Sequence, residues 1–298
     1  MRTGINGLTA ALVVGVVIGL VLTPDGRQWL RHPTLMLGGS ANASASPDAP
    51  VAPEPIVAPA PLPPPVVAPV AAVTPLKARL DRGVLRVGVF GDSMADGLWT
   101  ALYRDLNGKD GVTVAKFSEV STGLSRYDYV DIQAKTERQL REQPVDVAVV
   151  MFGTNDAQGI SMDGRIHDFG TPGWKAAYAR RITDLVALMR SRDVAVYWVG
   201  LPRMKRESFD AKMGVINAVV EERMRALGVP LIATTPLTAN DEGDYEAYLA
   251  NAQGRRQLMR ANDGIHMSMA GYLRIGAPVA ERLKRDAGLA TSPSGPAG

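Results

Sequence analysis

No cysteine occurs among the 298 residues, which removes disulfides, thiolate catalysis and cysteine-bearing zinc sites together. Aromatic residues make up only 6%, and histidines number three, so any imidazole chemistry must use His32, His167 or His266. There is no dense Lys/Arg block and no basic stripe interleaved with aromatics. A net charge of +3 with a pI near 9.1 therefore reads as solvated surface, and no nucleic-acid partner is expected. The His-Glu-x-x-His pair, the P-loop and the dinucleotide glycine fingerprint are missing as well, so metal, nucleotide and hydride chemistry are not expected and no cofactor is implied. No internal repeat is seen.

What is present divides unevenly. Residues 4–24 carry no charge, and Leu8 to Leu22 is almost wholly apolar, a length at the lower end of a membrane span. No small-residue cleavage pattern follows it directly, because the run leads into Pro24-Asp25-Gly26-Arg27, so residues 1–30 are read as a retained signal anchor. Arg2 flanks one end and Arg27 and Arg31 the other, so charge counting leaves the orientation open. The N-terminus inside and the remainder exported is the favoured arrangement. Residues 31–78 form a Pro/Ala-rich linker with 11 of the 21 prolines between Pro47 and Pro75. It is expected to run as semi-extended coil that holds a domain up to ~100 Å from a membrane, or to act as an inert spacer. Residues 79–288 have globular composition, and 289–298 read as a flexible tail.

Within the globular part, strand-like and helical runs alternate. Strands are expected at Val84–Phe90, Val112–Ser118, Val145–Phe152, Val194–Val199 and Val229–Ala233. Helices are expected at Met94–Leu106, Tyr129–Glu142, Trp174–Ser191, Asp210–Leu227 and Met269–Lys284, with a long loop spanning Gly159 to Gly173. Such alternation argues for a parallel sheet covered by helices on both faces. Right-handed crossovers then send every strand C-terminus to one rim, where ligands of these sheets bind.

That rim collects chemistry-bearing residues. The first strand ends in Gly91-Asp92-Ser93 and restarts as a helix, which lifts the Ser93 hydroxyl clear of the sheet and aims free helix N-terminal amides at it. The same three residues also make ordinary turns. Gly123 lies in the loop after the second strand, and Gly153-Thr154-Asn155-Asp156 follows the third. The Asn155 side chain is a neutral donor suited to an oxyanion, although GTND also makes a plain β-turn. His32 lies beside the apolar segment and is set aside. His167 sits in the long loop and reads as a surface or substrate-proximal residue. His266, in Asp263-Gly264-Ile265-His266, is the candidate general base, because the spacing lets Asp263 accept from one ring nitrogen while the other faces Ser93. Trp174, at the end of the long loop, could stack on a sugar ring, but a tryptophan that starts a helix is more often core.

Taken together, Ser93 in GDSMADGL, Gly123 in STGL, Asn155 in GTND and Asp263 with His266 in DGIH resemble the blocks of the SGNH (GDSL-type) hydrolase superfamily. The glycine block is the least specific, and Gly108, Gly111 and Gly159 are alternatives to Gly123. Met94-Ala95 after the serine and Met267 after the histidine depart from the usual pattern and bear on the acyl pocket.

The resemblance implies an α/β protein, three-layer α/β/α with a five-stranded parallel sheet of flavodoxin-like type. It also implies a serine esterase with Ser93, Asp263 and His266 catalytic and with Ser93, Gly123 and Asn155 forming the oxyanion hole. The anchor and linker add an expected setting: the inner membrane, a catalytic domain in the periplasm, and an O-acetylated envelope glycan or small ester as substrate. Two alternatives accompany it. One is an O-acyltransferase on the same triad, partnered by a membrane acyl donor protein, and the other is a non-catalytic envelope scaffold.

Overall fold

The structure is a computed structural model, and it describes residues 73–290. The expected anchor, most of the linker and residues 291–298 of the tail lie outside the described residues. Among the described residues no helix is long and apolar enough to cross a membrane.

The first described helix overlaps the expected start of the globular part at residue 79. Helix α1 (Leu76–Leu80) follows Thr74, whose backbone N–H and hydroxyl both donate to Asp193, each at 2.8 Å. The buried Arg79 closes this clamp by donating to Thr74 O, Asp146 O and Asp193 Oδ1. After it come β1 (Leu85–Gly91), α2 (Ser93–Leu106), β2 (Val112–Lys116), α3 (Ile132–Glu142) and β3 (Val147–Met151). A short hairpin, β4 (Ile160–Met162) and β5 (Arg165–His167), precedes α4 (Pro172–Ser191), β6 (Ala195–Val199) and α5 (Glu207–Leu227). The chain ends with β7 (Leu231–Ile232), α6 (Thr235–Thr238), a second hairpin, β8 (Tyr248–Ala250) with β9 (Arg256–Leu258), and α7 (Met269–Asp286).

The expected three-layer α/β/α arrangement is what the chain adopts: a five-stranded parallel sheet in the order β2-β1-β3-β6-β7. Every side chain of β3 is buried, which is why its sequence Val-Ala-Val-Val-Met is apolar without alternation. Helix α2 packs with α7, while α3, α4 and α5 pack in sequence with one another. From β1 the chain steps to β2 on one side and then returns to β3 on the other, so the strand order reverses at β1. In an open parallel sheet that reversal leaves a crevice at the strand C-termini between β1 and β3.

At the floor of the crevice the backbones nearly touch. A Cβ on Gly91, whose φ is +150°, would lie 1.9 Å from Met151 O, so a glycine must end β1. The Thr74–Arg79–Asp193 clamp sits at the opposite ends of the strands, because Asp146 immediately precedes β3 and Asp193 lies two residues before β6.

Two expectations change, and for Trp174 the core reading holds. The segment 159–173, read as a loop, holds the β4–β5 hairpin, in which Ile160 pairs with His167. The last sheet strand shrinks to two residues at the sheet edge. Trp174 is core: it is fully buried, stacks on Tyr178 at 4.7 Å, meets Phe169 edge-on and donates its indole N–H to Gln158 O at 2.7 Å. A ring so enclosed has no face left for a sugar.

Candidate active site

Ser93 opens α2, and its helix is capped by the residue before it: Asp92 Oδ1 accepts from Met94 N at 2.9 Å. His266 and Asp263 lie in the turn before α7, which is capped by the Ser268 hydroxyl accepting from Gly271 N at 3.2 Å. Across 173 residues of sequence separation, His266 Nε2 lies 2.8 Å from Ser93 Oγ. His266 Nδ1 lies 2.7 Å from Asp263 Oδ2, and Asp263 Oδ1 accepts from the amides of Ile265 at 2.8 Å and His266 at 2.9 Å. An ionised carboxylate can only accept, so it assigns the ring proton to Nδ1 and leaves Nε2 to accept from the Ser93 hydroxyl. Burial pushes the Asp263 carboxyl upward, but the His266 ring and the two amides outweigh it and hold the group below its ordinary value. Ser93 and His266 are half-buried and Asp263 is exposed, so the group opens to solvent.

The amide donor comes from the loop after β3. Asn155 Nδ2 donates to Thr122 O at 2.9 Å, which ties it to the residue before Gly123 and leaves its second amide hydrogen without an acceptor among the described residues. The backbone N–H groups of Ser93 and Gly123 likewise find no acceptor among the described residues. Gly123 is buried so tightly that a Cβ there would stand 2.2 Å from Asp156 Oδ1. Among the other glycines, Gly108 and Gly111 lie in the α2–β2 connection, where Gly111 O meets Leu85 at the start of β1. Gly159 lies against the β4–β5 hairpin. Of the four glycines, only Gly123 adjoins a residue bonded to Asn155. His167 abuts Gly173 at the start of α4 and makes no hydrogen bond to Ser93, Asn155 or His266. His32 lies outside the described residues.

Two residues that sequence reasoning passed over hold these loops together. Asp92, fully buried, accepts at Oδ2 from Gly153 N (3.2 Å), Thr154 N (3.1 Å) and Thr154 Oγ1 (2.7 Å), so the cap of α2 also grips the Asn155 loop. Asp156, also fully buried, accepts from Ser125 N, Ser125 Oγ and Tyr178 OH, which joins the Asn155 loop to the Gly123 loop and to α4. Burial dominates both: it pushes Asp92 up to about 6 and raises Asp156. Both aspartates sit inside the motifs, and a charged residue beside a buried turn was the one signal that could have found them.

Several solved structures are similar to this chain. One is a GDSL-like lipase from Bacteroides thetaiotaomicron, at 16% identity over 67% of this chain and 88% of that one, TM-score 0.46. Another is a catalytic mutant of an acetylxylan esterase from Geobacillus stearothermophilus, at 14% identity over 70% and 96%, TM-score 0.47. A psychrotrophic esterase from a Pseudoalteromonas species aligns at 10% identity over 68% and 95%, TM-score 0.43. No curated protein matches the sequence. The family described as protein of unknown function DUF459 matches residues 86–282, and the chain belongs to that family.

Proposed function

We propose that this chain is a serine esterase of SGNH type that works through an acyl-enzyme. The observation that carries the reading is the relay from Asp263 through His266 to Ser93, with contacts of 2.7 Å and 2.8 Å. His266 Nε2 takes the Ser93 proton as Oγ attacks an ester carbonyl, and the carbonyl π pair moves onto its oxygen. That oxyanion is met by the Ser93 and Gly123 amides and by the free hydrogen of Asn155. Collapse expels the alcohol oxygen, which takes the proton from Nε2. Water then repeats the sequence on the acyl-enzyme, releasing the acid and restoring the serine.

A fluorophosphonate tests the reading on the full chain: it is expected to form a stoichiometric adduct on the peptide carrying Ser93, located by mass spectrometry. An unlabelled chain would sink the esterase. Asn155→Ala is expected to lower kcat on p-nitrophenyl acetate by ~10²-fold with KM little changed, the size of one oxyanion donor. An equal loss in KM would make Asn155 a substrate-binding residue instead.

The substrate proposed is an ester-linked O-acetyl group on an envelope glycan, with the catalytic domain held in the periplasm by an inner-membrane anchor. The uncharged run of residues 4–24 and the Pro/Ala-rich residues 31–78 support this setting. Partition of the acyl group between water and a glycan hydroxyl separates hydrolase from transferase.

A further inference from the structure

Arg260 is among the largest fully buried side chains, at 1% exposure, and it forms no ion pair among the described residues. Its Nε and Nη1 have no hydrogen-bond partner among the described residues. A guanidinium taken out of water with two of its three nitrogens unbonded is costly, so what its third nitrogen does needs a reason. Nη2 donates to Ile265 O at 2.8 Å and to Gly264 O at 3.3 Å, with Met204 Sδ at 3.5 Å. The guanidinium carbon lies 5.1 Å from the centre of the Tyr245 ring, a cation–π contact.

The two carbonyls belong to the peptide units whose N–H groups are those of Ile265 and His266. Both of those N–H groups donate to Asp263 Oδ1. Two consecutive peptide planes are thus gripped at both ends, with carbonyl oxygens on a buried cation and N–H groups on a carboxylate. Each peptide dipole lies along the field between the two charges, and turning either plane over breaks a bond at each end. Around them Ala261 N donates to His266 O at 2.9 Å, and Lys205 N donates to Gly264 O at 3.0 Å. Asp263 itself acts in the direction that keeps Arg260 charged, against the burial that lowers its pKa.

The geometry points to Arg260 as a positioning residue: by holding the peptide planes of Gly264–Ile265 and Ile265–His266 against Asp263, it sets where the His266 imidazole stands relative to Ser93. This rests on the esterase reading for its kinetic consequence. Its structural consequence, the fixed imidazole, is independent of turnover. Lysine keeps the charge and can donate to two carbonyls from one nitrogen, whereas methionine fills similar volume with neither.

The test uses the full chain with Arg260→Met and Arg260→Lys, melting curves as the folding control, and fluorophosphonate titration to count competent sites. Arg260→Met is expected to lower kcat per titrated site on p-nitrophenyl acetate by roughly 10²-fold at unchanged KM, the penalty of an imidazole displaced by about 1 Å. Arg260→Lys is expected to recover most of it. In ¹⁵N-histidine spectra the Nδ1–H signal of His266, identified by its loss in His266→Gln, should shift or exchange away in the methionine variant and return with lysine. Wild-type kcat per site together with an unmoved His266 signal in Arg260→Met would overturn the inference. If Arg260→Met does not fold, Arg260→Lys decides alone. Its kcat and its His266 signal must then move together or both stay, and a change in one without the other overturns the coupling. A wild-type chain with no ester turnover sinks the esterase reading, while the imidazole signal still judges Arg260.

Discussion

Ser93→Ala is expected to lower kcat for p-nitrophenyl acetate hydrolysis by on the order of 10⁴-fold or more, while KM and the melting temperature hardly change. In the proposed mechanism the hydroxyl is the only atom that bonds to the acyl carbon, so its removal ends the covalent route. What remains is attack by water next to the Asn155, Gly123 and Ser93 donors, which alanine leaves in place because the last is a backbone N–H. The side chain is half-buried and among the described residues its only hydrogen-bond partner is the His266 ring, so the fold loses little. His266→Ala is expected to cost about as much, and the double variant hardly more than either single one, because groups that act as a unit do not add. The measurement is steady-state turnover with active-site titration to exclude wild-type contamination. Turnover of Ser93→Ala within tenfold of wild type would show that another group carries the reaction.

How far the chain could be read in advance depended on how local each signal was. Strand β3 was legible because five consecutive buried residues leave an apolar run, and the four motif segments were legible because each candidate residue is a glycine or lies within two residues of one. Helix α2 begins one residue earlier than expected because Asp92 caps it, placing Ser93 in the first turn. The helix expected from Tyr129 begins at Ile132, since Asp131 caps it and Tyr129 is left exposed in the preceding turn. The β4–β5 and β8–β9 strands are three residues each, too short to establish a period of two, and each pairs only with its hairpin partner. Trp174 was ambiguous because the same ring serves a core or a sugar, and only the positions of Tyr178, Phe169 and Gln158 decide it. Asp92, Asp156 and Arg260 escaped notice for a related reason. Each acts on backbone groups of other loops or turns, and sequence spacing carries no mark of which amide or carbonyl a side chain will reach. The residues that meet at the candidate site could thus be named from sequence, whereas the parts that hold them in register could not.

Asp92→Ala is expected to destabilise the domain by roughly 3–5 kcal/mol at pH 5, enough to threaten a fold whose whole stability is about 5–15 kcal/mol. Four donors lose their acceptor at once: Met94 N, Gly153 N, Thr154 N and Thr154 Oγ1. Each is worth about 1–3 kcal/mol when stranded in the interior, and the sum is reduced because a water can enter the vacated space. Asp92→Asn keeps the shape but turns an N–H₂ toward at least one of these N–H groups, so it should lie between alanine and wild type. The pH dependence has a definite sign. Burial raises the folded pKa of Asp92 from 3.8 to about 6, so between those values the folded state binds more protons than the unfolded one. The contribution of this side chain to stability is therefore largest below pH 4, falls as pH rises toward about 6, and is level above it. The gap between wild type and Asp92→Ala should accordingly be wider at pH 5 than at pH 7, measured as the difference in denaturation midpoint at the two values. A gap that widens with pH would mean that Asp92 is stabilised as the anion by its four donors, and that burial does not govern its charge. Because the same carboxyl caps the helix of Ser93 and grips the loop of Asn155, the folded fraction of either variant should also turn over ester more slowly, with the loss in kcat and not in KM.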